Sequence, residues 1–139
     1  MPHDYSLGKI FKFECKNTGN VFYGNTIEPI LARRLSTMKT QFLNYQKSDT
    51  KVKFSGAFVI LYNDNYEISL VELFPCDTKD ELVARERYHI NNNSHCVNRI
   101  YANKQLQKEF RLLLCQNPAG VKEPHMTFIE SMLYKRLVL

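Results

Sequence analysis

Gly8-Lys9-Ile10-Phe11-Lys12-Phe13-Glu14-Cys15, then Lys16-Asn17-Thr18-Gly19-Asn20, then Val21-Phe22-Tyr23-Gly24-Asn25 is the stretch that decides the fold. Its first part alternates apolar and polar side chains, the two-residue period of a strand. The middle part is polar, and Gly19 is able to take positive φ in a turn. The last part reads as a second strand. Together they predict a hairpin with a short loop over about residues 9–24.

Downstream, Pro29 suits the first turn of a helix. Leu31, Leu35, Met38, Phe42 and Tyr45 then recur at helical spacing, which predicts an amphipathic helix over about residues 29–46. Ala57-Phe58-Val59-Ile60-Leu61-Tyr62 is a continuous apolar run, and periodicity leaves a buried strand and a short helix equally open. Tyr66 to Phe74 has the residue types of a third strand. Thr78-Lys79-Asp80-Glu81 is a capping box that opens a helix running to about Asn91. Two further helical patterns follow, one at Leu106, Phe110, Leu113 and Leu114, the other at Met126, Ile129, Met132, Leu133 and Leu137. Asn117-Pro118-Ala119-Gly120 separates them. They are expected as a helical hairpin docked on the domain.

The chain has 139 residues, enough for one domain with its own core. No apolar run approaches the roughly 20 residues that cross a bilayer. Met1-Pro2-His3-Asp4-Tyr5 has neither the basic nor the apolar region of a signal peptide. The expectation is therefore a soluble, intracellular protein that does not engage membranes. Cys15, Cys76, Cys96 and Cys115 contain no CxxC pair, so a zinc ribbon is not expected and reduced thiols are. Residues 1–60 carry nine Lys and Arg against four acids, and the remainder carries ten against ten. The whole net charge of +5 thus lies in the first 60 residues. Such a bias suits a polyanion such as nucleic acid.

Three sets of residues gain meaning from their order. Gly8-Lys9-Ile10-Phe11-Lys12, Val21-Phe22-Tyr23-Gly24-Asn25-Thr26 and Arg34-Leu35-Ser36 are followed by Glu81 to Ile90 and by Cys96-Val97-Asn98. In this order and spacing the chain resembles the GIY-YIG nuclease family, most closely its small stand-alone members from large DNA viruses. The resemblance covers about residues 7–99, leaving 100–139 as a helical extension. It implies an α+β domain, a three-stranded antiparallel sheet flanked by helices, with residues 56–62 as a short helix. It also implies phosphodiester hydrolysis by two strand tyrosines, a helix arginine, a histidine one turn later and a glutamate that holds a divalent metal. A late asparagine supports the geometry.

The chain keeps Arg34, Glu86 and Asn98 at the matching positions. It carries Phe11 and Phe22 at the tyrosine positions and Met38 at the histidine position. A phenyl ring neither accepts nor relays a proton. Tyr23 adjoins Phe22 but belongs to the opposite strand face, unless the register shifts or a bulge intervenes. Tyr5, Tyr88 and His89 are the remaining candidate proton carriers. His3, His95 and His125 have no constellation around them. The resemblance therefore implies a degenerate nuclease site with little or no cleavage. Its partner is nucleic acid, DNA foremost, or a protein assembly such as a virion. Lys9, Lys12, Arg33, Arg34 and Lys39 are the expected phosphate contacts, sharing one face. The alternative is an active endonuclease with a rearranged base, using Mg²⁺ or Mn²⁺ on Glu86.

Overall fold

Residues 9–26 pair as their alternation requires. In the computed structural model, which describes residues 3–47, 51–93, 96–98 and 104–116, β1 (Lys9–Cys15) and β2 (Val21–Thr26) form an antiparallel hairpin. Gly19 closes the turn at φ 77°. The third strand, β3 (Tyr66–Leu73), pairs with the other edge of β1, so the sheet order is β2-β1-β3. Four helices complete the α+β fold among the described residues: α1 (Leu31–Gln46), α2 (Ala57–Tyr62), α3 (Lys79–Asn91) and α4 (Lys104–Gln116). None of them is long and apolar enough to cross a membrane. The second helical pattern, at residues 126–137, lies outside the described residues.

The register sorts side chains onto two faces. Phe13 opposes Phe22 and Phe11 opposes Gly24, so these share one face, while Lys12 opposes Tyr23 on the other. The first face packs on α1, α2 and α4. There Phe11, Phe13 and Phe22 join Met38, Phe42, Phe58 and Phe110 in the main core. Burying one such ring is worth about 1.5–3 kcal/mol. The apolar run 57–62 is helical and wholly buried. The core does not stop at residue 99, because Phe110, Leu113 and Leu114 of α4 belong to it. Cys15, Cys76 and Cys96 are not joined in disulfides.

α1 starts two residues later than Pro29 predicts, with Ile30 at its N-cap. The preceding backbone is held elsewhere. Thr26 Oγ1 accepts from the Glu28 N–H at 3.0 Å, and Lys9 Nζ donates to the Glu28 carbonyl at 2.7 Å.

The opposite face of the sheet lies under α3, whose first turn is capped by Thr78 Oγ1 accepting from the Glu81 N–H at 3.2 Å. A bulge in β3 aims a carboxylate at this helix. Phe11 opposes Leu70, but Ile10 opposes Glu72, leaving Val71 as the extra residue. Without that extra residue Glu72 would fall on the α1 face. As built, it accepts from Arg85 Nε and Nη2 and meets His89 Nε2 at 2.9 Å. These partners, Arg85 first, hold the Glu72 carboxyl down to about 2 from its ordinary 4.5. A depressed carboxyl stabilises the fold above its unfolded pKa and stops doing so as pH falls through its folded one. Glu72→Gln is therefore expected to melt below wild type at neutral pH, with the gap closing between about pH 4.5 and 2. A gap that stays constant over that range would contradict the pairing.

Candidate functional site

The sheet, α1 and α3 meet around a cleft of about 410 Å³ at the end of β2. Arg34 and Thr37 reach it from α1, Asn25 and Thr26 from β2, and Lys79 from the start of α3. Thr37 and Arg34 are three residues apart and therefore share a helix face. Behind them Arg34 lies 6.0 Å from the centre of the Phe11 ring, and that ring lies 6.4 Å from Phe22. Phe11 is 0% and Phe22 6% exposed.

Glu86 sits against two lining residues. Asn25 donates to its carboxylate from side chain and backbone, and the Arg34 charge acts on it. Burial still pushes the Glu86 carboxyl above its ordinary value, because desolvation outweighs those partners. Arg34, which lines the cleft, is thus the link between Glu86 on α3 and the buried rings of Phe11 and, behind it, Phe22.

Met38 is 2% exposed and packs in the main core. Asn98 has a structural position. Its Oδ1 accepts from the Tyr23 N–H at 2.8 Å and its Nδ2 donates to the Tyr23 carbonyl at 2.6 Å. One side chain thereby serves as the missing neighbour strand for the outer edge of β2.

Tyr23 is no substitute for the strand tyrosines. The β1–β2 register runs without a bulge, so its ring stays on the α3 face. It stacks on His89 at 5.8 Å, and burial pushes its phenol pKa up. His89 is engaged by Glu72 and is not among the cleft-lining residues. Besides Arg34, Lys79 and Glu28, the titratable groups that line the cleft are His3 and Tyr5 of the N-terminal segment. Their placement depends on long-range backbone bonds, the Cys76 N–H donating to the Tyr5 carbonyl at 3.0 Å and the Phe74 N–H to the Gly8 carbonyl at 2.8 Å. No local sequence signal announces such a tie. Asn25 and Lys79 were equally silent in the sequence.

The expected common basic face is split. Lys9 is 7% exposed, and its ammonium donates to the carbonyls of Leu7 at 2.8 Å and Glu28 at 2.7 Å. It is a strut, not a surface cation. Lys12 belongs to the α3 face of the sheet, whereas Arg33, Arg34 and Lys39 belong to α1 on the other face. Arg33 and Lys39 are exposed, with Lys39 5.7 Å from the Tyr66 ring centre.

A divalent cation wants six or more oxygen donors, several from protein. The carboxylates here are Glu28, which lines the cleft, and Glu86, which lies behind Asn25 and Arg34, already hydrogen-bonded and biased toward its neutral form by burial. Among the described residues no group of three His, Cys, Asp or Glu is placed to hold a metal. This donor set does not fit a tightly held Mg²⁺ or Mn²⁺.

These features define an α+β domain with a cleft between its first and third helices. Comparison with protein-family models, with curated proteins and with solved structures finds no match for this chain.

Proposed function

We propose that this chain is a nucleic-acid-binding domain of GIY-YIG-like architecture whose nuclease site is degenerate. One observation carries the reading. The side chains at the two strand positions are buried phenyl rings, Phe11, which lies against Arg34, and Phe22, which lies against Phe11. Arg34 retains the ability to hold a phosphate through paired N–H donors. Lys79 adds a second cation to the cleft. Neither ring takes a proton from an attacking water, and loss of a general base alone costs about 10²–10⁴-fold in rate. Binding is what the remaining groups support.

The test is anisotropy of labelled DNA against salt. Binding should weaken linearly in log salt. Arg34→Ala should weaken it on every sequence alike and lower the slope by about 0.7–0.9, the value of one phosphate contact. No salt-dependent binding by the wild-type chain would overturn the reading in favour of an assembly role.

A second reading, an active nuclease with a rearranged base, has one observation in its favour. Tyr5 brings a hydroxyl and His3 an imidazole to the same cleft as Arg34.

A further inference from the structure

A second groove lies at the other end of α1. Tyr45 lines it, 11 residues beyond Arg34, or roughly 16 Å along the helix. Its volume is about 330 Å³. One wall is α4, which presents Lys104, Lys108 and Arg111. Spacings of four and three put these cations on one helix face, over about 10 Å of axis. Phe110, Leu113 and Leu114 take the core-facing side of the same helix. The other wall is apolar and aromatic, made by Val52, Phe54 and Tyr45. Among the described residues no carboxylate lines the groove.

The two walls are locked together. Arg111 lies 4.0 Å from the Tyr45 ring centre and donates to the Tyr45 carbonyl at 3.4 Å. Phe54 is half-buried and packs edge-on against Phe110 and Tyr45. The groove is therefore a formed feature of the core's rim.

We infer that this groove is a track for single-stranded nucleic acid, the phosphates following Lys104, Lys108 and Arg111 and the bases facing Val52 and Phe54. The inference rests on the nucleic-acid reading above and assigns the principal contact to α4. Charge complementarity names a polyanion, because three cations stand along one wall with no lining acid to offset them. The apolar wall narrows the choice. A cationic groove with aromatic sides is how proteins hold single strands, since every base has a face to stack. A duplex hides those faces and would leave Val52 and Phe54 unused.

The experiment uses the full chain with labelled oligothymidylate and with a duplex of the same length. Lys104 and Lys108 are exposed, so Lys104→Glu with Lys108→Glu should keep the wild-type melting profile. The double variant should bind oligothymidylate about tenfold or more weakly, and its salt slope should drop by about 1.4, two single-strand contacts. The wild-type chain should prefer the single strand. Unchanged affinity in the folded double variant overturns this inference and leaves the domain-level reading standing. Equal or tighter binding of duplex, or of an acidic polypeptide, overturns the single-strand assignment. Failure of the wild type to bind any nucleic acid overturns both.

Discussion

Asn98→Ala is expected to lose about 2–6 kcal/mol of stability. Asn98 is 8% exposed, and its amide satisfies both backbone groups of Tyr23. Alanine leaves a buried N–H and a buried carbonyl unpaired, each costing about 1–3 kcal/mol. Asn98→Asp should be nearly as damaging. It keeps an acceptor for the N–H but sets a carboxylate oxygen against the Tyr23 carbonyl. Urea denaturation of the two variants checks this, and a loss confined to the range of an ordinary surface substitution, within about 0.5 kcal/mol, would contradict it. The consequence reaches the cleft, because β2 also carries Asn25, which holds Glu86.

Gly24→Ala is the second large effect. The Phe11 ring crosses β2 over Gly24, so a Cβ built there would overlap it, with Phe11 Cε1 at 2.8 Å. Either the ring leaves its place in the core or β2 moves off β1. Overpacking of this kind costs about 1–3 kcal/mol, more where backbone must shift. Shortening the ring relieves the overlap. Gly24→Ala with Phe11→Leu should therefore lose less than the two single losses added, by a coupling of about 0.5–3 kcal/mol. Strict additivity would show that Phe11 does not need the glycine.

Phe11, Phe22 and Gly24 were legible early because a strand's period fixes which residues share a face. β1, β2, β3 and α3 follow the alternation and capping signals closely, and α4 follows its apolar spacing. α2 was not legible from period, since six buried apolar residues look alike as helix or strand. The bulge at Val71 left no mark in the sequence, yet it decides that Glu72 faces Arg85 and not α1. Lys9 misled for a related reason. A lysine on a strand reads as a surface cation until the carbonyls of Leu7 and Glu28 are seen around its ammonium. Tyr5 is a candidate without positional support in the sequence and His3 has no constellation there, and their cleft neighbours are supplied by residues far along the chain. The charge excess of residues 1–60 was counted correctly, but register and helix phase divide it between two faces of the sheet. A cationic groove formed by α4 emerges only when that helix is set against Phe54 and Tyr45.

The central claim is that the cleft holds a phosphate without cutting the strand. Its most direct test is a cleavage time course with DNA in Mg²⁺ and in Mn²⁺, comparing wild type with Glu86→Ala at protein concentrations that saturate binding. The account predicts bound, intact DNA and equal rates for the two proteins. Faster cleavage by the wild type would contradict it and show a working site, and loss of that excess in Tyr5→Phe or in His3→Ala would then identify the base.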